Sequence, residues 1–192
     1  MNTETPGLVG AAAERARAAG FAFSCDPAVG RLLAVLAAGV PERGRVLELG
    51  TGTGVGTAWL VSGLLPRRDV TVTSVELDPE RAALAASGDW PGFVDLRTGD
   101  VLELLPGLGA FELIFADAVA GKQVGLELTI AALAPRGVLV VDDMTPASGV
   151  TWDAGFAARQ EEVRRTLLGH ERLAAVELDG HGSGVILATA RN

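Results

Sequence analysis

The chain has 192 residues, 48% of them hydrophobic, which suffices for one well-buried domain and is short for two. Its net charge of −8 and scattered basic residues argue against a nucleic-acid or anionic-membrane surface, and no apolar run approaches the ~18 residues of a membrane span. The start Met1-Asn2-Thr3-Glu4 lacks the basic and apolar regions of a signal peptide, and the lone Cys25 excludes an internal disulfide, so a cytoplasmic protein is expected.

Residues 1–7 read as loose, and Leu8–Ala19 as a short Ala/Arg helix stopped at Gly20. Asp26-Pro27 is a cap followed by proline at the first helical position, opening a helix to Ala38 with Val29, Leu32, Leu33 and Leu36 on one face. The stretch from Val46 to Gly56, VLELGTGTGVG, organises the remainder of the chain. A short apolar run ends in a glycine-rich turn, and Thr57–Leu65 then reads as a helix closed by Pro66. A buried strand feeding a tight loop at a helix N-terminus is where an open α/β sheet docks a nucleotide-like ligand. Glycine reaches backbone angles closed to other residues and lets a ligand approach the main chain.

Val70–Val75 is a second strand, ending in Glu76-Leu77-Asp78-Pro79, and Pro79–Ala86 is a helix. An acid at this place, roughly 20 residues past the glycine loop, is where a Rossmann-type fold grips ribose hydroxyls. Phe93–Arg97 is a third strand closed by Thr98-Gly99-Asp100-Val101, with Asp100 able to cap a helix over Val101–Leu105. Phe111–Ala116 delivers Asp117; Lys122–Ala134 reads as a helix and Pro135-Arg136-Gly137 as a turn; Val138–Val141 delivers Asp142-Asp143. Thr145–Thr151 is a loop expected to line a pocket, with Trp152 either a lid or an anchor for a helix from Asp153 to Leu168. His170 suits that helix's C-terminus. Glu171–Leu178 and Gly184–Ala190 read as two strands joined by a hairpin over Asp179–Ser183, where His181 suits an exposed loop better than a catalytic base.

The dinucleotide fingerprint fails here, because its third glycine falls on Val55 or on Trp59, and no Gly-Lys-Ser/Thr phosphate loop occurs. What fits is E-x-G-x-G-x-G, on Glu48, Gly50, Gly52 and Gly54. This resembles motif I of the Rossmann-like class of S-adenosylmethionine-dependent methyltransferases. The cofactor is a net cation, which suits an acid at the mouth of the loop. With Ser-Val-Glu-Leu-Asp-Pro at the end of the second strand the resemblance becomes specific. It implies that the loop residues Gly50, Thr51, Gly52 and Gly54 with Glu48 meet the cofactor, that Glu76 beside Leu77 takes the ribose, and that Asp100 receives the adenine amine while the Val101 amide meets a ring nitrogen.

The three later acids fall at strand ends that face the ligand crevice. Here the chain resembles the catechol and caffeoyl-CoA type O-methyltransferases, strongly over residues 26–145. The resemblance implies a metal site on Asp117, Asp142 and Asp143, with Asp143 standing where the family has asparagine and still suiting Mg²⁺ or another divalent cation. The family's lysine, three residues beyond the first aspartate, is Ala120 here. The sole lysine, Lys122, comes two residues later, and with Asp117 it is the candidate catalytic group. The alternative is that Asp117 contacts the methionine amine while Asp142 and Asp143 cap the loop or bind substrate.

The expected fold is α/β, a three-layer sandwich around a seven-stranded, mostly parallel sheet with an antiparallel last strand. Residues 1–40 form an N-terminal helical cap and 41–192 the core of a single domain. The expected activity is methyl transfer from S-adenosylmethionine to a small-molecule hydroxyl, with neither nucleic acid nor membrane as partner. A homodimer, an N-methyltransferase and a non-catalytic cofactor-binding module stay among the alternatives. Alanine, glycine and arginine dominate while tyrosine is absent, a bias of GC-rich bacterial genomes.

Overall fold

The structure, a computed structural model, describes residues 5–146 and 149–191; parts of the expected loose N-terminus and of the loop after Thr145 lie outside these. Two helices, α1 (Gly7–Ala18) and α2 (Pro27–Ala38), precede the first strand. Next come β1 (Arg45–Leu49), α3 (Val55–Leu64), β2 (Thr71–Glu76), α4 (Pro79–Ala86), β3 (Val94–Thr98), α5 (Val101–Leu108) and β4 (Phe111–Ala116). The chain continues through α6 (Leu126–Ala131), β5 (Leu133–Val141), α7 (Ala154–Gly169), β6 (Leu173–Leu178) and β7 (Val185–Ala190).

The strands form one seven-stranded sheet in the order β3-β2-β1-β4-β5-β7-β6. Only β7 runs antiparallel, to both β5 and β6, so the expected architecture holds. Val46, Leu47 and Leu49 of β1 are fully buried because helices cover both faces of the sheet. On one face Val29, Leu33 and Leu60 pack with Val46, Val72, Leu113 and Phe115. On the other, Leu105, Ile130, Val163 and Leu167 pack with Leu47, Ile114, Leu139 and Ile186. The helices α2 and α3 approach closely through Gly30, where an added Cβ would lie 2.1 Å from the Trp59 indole.

Aspartates start four helices. Asp26, Asp78, Asp100 and Asp153 each accept main-chain N–H bonds from the first turn of α2, α4, α5 and α7.

Two expectations need correction. The helix expected over Lys122–Ala134 shrinks to Leu126–Ala131, because Gly125 adopts a left-handed φ of 78° at its N-cap. Residues 119–124 instead make a turn closed by Gly121 N–H to Val124 O (2.7 Å) and Val124 N–H to Val119 O (3.1 Å). The turn expected at Pro135-Arg136-Gly137 is an irregularity within β5, which already pairs with β4 at Leu133 opposite Phe111. There Arg136 takes a φ of 64°.

Candidate functional site

The glycine loop between β1 and α3 is tied to the end of β2, where Gly50 N–H and Thr51 N–H both reach Val75 O, at 2.9 and 3.2 Å. Gly50, Gly52 and Gly54 have φ of 100°, 54° and 89°, left-handed values that other residues adopt only under strain. Gly50 also lets the β4 end close in, since a Cβ there would lie 2.6 Å from Asp117 O. From the cap, Arg15 donates through Nε and Nη2 to Thr53 O (3.3 and 3.1 Å), and the Phe21 ring rests on Gly52. Thr53 Oγ1 is buried without a hydrogen-bond partner among the described residues.

Glu76 closes β2 beside the loop. Its Oε2 accepts from Gly52 N–H (2.8 Å) and its Oε1 from Asp78 N–H (3.0 Å). A carboxylate can accept about four hydrogen bonds, so capacity for further donors remains. A cavity of about 160 Å³ opens alongside, lined by Thr51, Glu76, Pro79, Leu96 and Thr98 among others. These features fit a ribosyl cofactor: main-chain approach at the glycines, a carboxylate with spare lone pairs, and a partly apolar recess. Leu77 is exposed and Val101 buried at the start of α5, while the Asp100 carboxylate accepts from Leu102 N–H at 2.8 Å, so its capping role is real.

Glu48 does not sit at the loop's mouth. It is 1% exposed and lies beneath the loop, accepting from Ser74 Oγ (2.5 Å) and from Thr57 Oγ1. Thr51 Oγ1 and Ser74 Oγ are 2.6 Å apart and extend this network to the loop. Gly56 is required because a Cβ there would lie 2.2 Å from Glu48 Oε1. Burial pushes the Glu48 carboxyl up to about 7, against the opposing hydrogen bonds from Ser74 and Thr57. Strand alternation allows either placement of the acid, and only the packing of α3 on β1 decides between them.

The other three acids do converge. Asp117, Asp142 and Asp143 each offer a carboxylate oxygen within 4.8 Å of the others. The strand ends that carry them are locked by Asp117 N–H to Leu49 O (2.9 Å) and Asp142 N–H to Ala116 O (3.2 Å). Lys122, displaced from the expected helix into the turn after β4, reaches the cluster. Its side chain is 3% exposed, and Nζ donates to Asp142 O (3.1 Å) and Asp143 Oδ2 (3.3 Å). Burial raises Asp117 well above the usual carboxylate range; Lys122 opposes this, and Asp142 and Asp143 add to it. Asp142 is raised by burial and by Asp143, partly offset by the Asp143 N–H and Ser183 hydroxyl bonds. Two raised carboxyls beside a third describe a site short of positive charge.

Cys25 is buried, its thiol pushed well up by burial first and then by Asp142 and Asp117, so it is inert. Trp152 packs edge-on against Phe156 with centroids 5.1 Å apart, which anchors the first turn of α7. His170 accepts from Arg172 N–H at 3.2 Å, and His181 lies in the turn before β7. Sequence reasoning missed Thr57 and Ser74 under Glu48, Arg15 on the loop, and Ser183 on Asp142. Each contact joins separate elements of the fold and carries no local signal.

An open α/β sheet with a glycine loop after β1, an acid closing β2 beside that loop, and no phosphate loop defines a Rossmann-like fold suited to a nucleoside cofactor other than a dinucleotide. The antiparallel β7 narrows that class to the methyltransferase topology. Similarity to known proteins agrees. The family described as "Methyltransferase domain" matches residues 47–144. A protein of Mycobacterium sp. (strain KMS) named "Putative O-methyltransferase" is 34% identical, with 96% of this chain and 86% of that protein covered. Among solved structures, cofactor-bound Rv0187 from MTB is 27% identical with a TM-score of 0.82, covering 100% of this chain and 93% of that one. The O-methyltransferase TomG from Streptomyces achromogenes, in complex with SAM, shares the fold at 22% identity and a TM-score of 0.82, with the same coverage. The chain belongs to the S-adenosylmethionine-dependent methyltransferase family, among its O-methyltransferases.

Proposed function

We propose that this methyltransferase acts on a hydroxyl oxygen of a small molecule, with one divalent cation, Mg²⁺ foremost, held by Asp117, Asp142 and Asp143. The observation that carries the proposal is the convergence of these carboxylates within 4.8 Å at the crevice edge. Lys122 offsets one of their three negative charges, and the remaining two equal the charge of a single divalent ion. Oxygen donors are what such a hard cation takes. When bound, the cation lowers the pKa of the acceptor hydroxyl and fixes its position.

In this reading the whole chain works as one domain, with residues 1–40 as cap and 41–192 as catalytic core. The cofactor lies over Gly50, Thr51, Gly52 and Gly54. Glu76 accepts from both ribose hydroxyls with Leu77 beside it, and Asp100 and the Val101 amide meet the adenine. Asp117 borders the methionine end, and Glu48 supports the loop from below. The acceptor oxygen forms a bond to the methyl carbon as the carbon–sulfur bond breaks, leaving S-adenosylhomocysteine. The hydroxyl proton leaves to solvent, and the Lys122 ammonium, which Asp143 orients, holds the resulting oxyanion by its charge. The protein's main task is to hold the oxygen, methyl carbon and sulfur in line.

EDTA is expected to abolish turnover, and Mg²⁺ or Mn²⁺ to restore it. Asp142→Asn is expected to cut activity sharply while leaving S-adenosylhomocysteine affinity nearly unchanged. Full turnover in excess EDTA, with no metal by elemental analysis, would refute the cation. The Lys122–Asp143 contact favours a second reading for that outcome, in which the ammonium alone balances the cluster and orients the acceptor.

A further inference from the structure

We infer that Ser183 is a positioning residue that fixes the Asp142 carboxylate so that one oxygen alone faces the cation; the inference rests on the cation site proposed above. The reason begins with sheet topology. Because β7 runs antiparallel to β5, pairing Ile186 with Val141, the turn that precedes β7 lies beside the residues just after β5. A parallel last strand would place that turn at the opposite edge of the sheet. Two main-chain bonds lock the pieces together, Met144 N–H to Gly184 O (3.0 Å) and Thr145 N–H to Ser183 O (2.7 Å).

The turn is also held from its other side. A Cβ at Gly182 would lie 2.8 Å from Val29 Cγ2 and 3.1 Å from Asp26, so it abuts the start of α2. From this braced position Ser183 Oγ donates to Asp142 Oδ1 at 2.8 Å. The same oxygen accepts from Asp143 N–H at 2.7 Å. Among the described residues Asp142 Oδ2 receives no hydrogen bond. One oxygen is thus occupied by two protein donors while the other is left for the cluster, which favours single-oxygen ligation in a fixed direction. Outer partners of this kind change metal affinity by about 10- to 100-fold.

The test is Mn²⁺ titration of the full-length protein, monitored by electron paramagnetic resonance, on the wild type, Ser183→Ala and Ser183→Thr. Ser183→Ala keeps the main-chain bond to Thr145, so the turn is expected to persist. The expected result is a Mn²⁺ dissociation constant raised about 10- to 100-fold in Ser183→Ala and returned near the wild-type value in Ser183→Thr. S-adenosylhomocysteine affinity is expected to stay unchanged in both variants, and the melting temperature of Ser183→Ala to fall by no more than the few degrees that one lost hydrogen bond accounts for. Unaltered Mn²⁺ affinity in Ser183→Ala, with the wild type binding normally, overturns the positioning role and leaves the cation site standing. So does a parallel loss of cofactor affinity and melting temperature, which would make Ser183 a fold residue only. If the wild type itself takes up no Mn²⁺, the cation site fails and the role of Ser183 fails with it.

Discussion

Glu48 makes the cofactor loop's support sensitive to pH, and the size of the effect is set by its surroundings. The side chain is 1% exposed, and its carboxyl is raised from 4.5 to about 7 chiefly by burial. In the unfolded chain the same group titrates at its ordinary value. Between these limits the folded state keeps a proton that the unfolded state has released, so unfolding is favoured as pH rises. The contribution is fully present below about pH 4.5, declines through the interval, and is gone above about pH 7. Its total is about 3 kcal/mol, at roughly 1.4 kcal/mol for each tenfold change in proton binding. Glu48→Gln keeps the shape and a carbonyl oxygen for Thr57 and Ser74 but cannot ionise. Urea unfolding of the ligand-free protein and the variant from pH 4.5 to 8.5 measures the difference. The wild type should lose about 3 kcal/mol relative to Glu48→Gln over that range. Any new cost from the amide N–H would appear as a constant offset. A stability difference that does not vary with pH would refute the reasoning, because the buried carboxyl would then titrate alike in both states.

Glu76→Ala is expected to weaken S-adenosylhomocysteine binding by about 1.5–3 kcal/mol, or about 10- to 150-fold. Unchanged affinity by titration calorimetry would remove Glu76 from the cofactor site. Gly30→Ala is expected to lower stability by about 1–3 kcal/mol, since its Cβ would lie 2.1 Å from Trp59. Gly10→Ala on the exposed side of α1, with nothing within 4 Å, should instead raise stability by about 0.5–1 kcal/mol; thermal melts of the pair check both signs. Lys122→Met should cost about 1.5–3 kcal/mol in EDTA, because it leaves the acids uncompensated. Under the cation reading, saturating Mg²⁺ should recover part of that loss, as denaturant titrations with and without Mg²⁺ would report.

Much of this protein was legible in its sequence because its signals are local. Apolar runs as short as Val138–Val141 announced buried strands, and Asp-Pro pairs at 26–27 and 78–79 announced capped helices. The glycine spacing at 50, 52 and 54 excluded a dinucleotide, and strand ends leading into acids gave the crevice its charge. The chain's last two strands even implied where the antiparallel β7 would fall. Tertiary structure alone decided which way the acids faced. Glu48 went beneath the loop because Gly56 lets α3 close over it and Thr57 and Ser74 meet it there. Lys122 left its expected helix because Gly125 takes a left-handed turn, and this carried its nitrogen to Asp143. Ser183 reached Asp142 across 41 residues of chain because antiparallel pairing brought their strand ends together. Periodicity and spacing report what a residue's near neighbours impose; the partner of a buried charge is fixed by packing between segments far apart in sequence, where desolvation makes the choice of partner decisive.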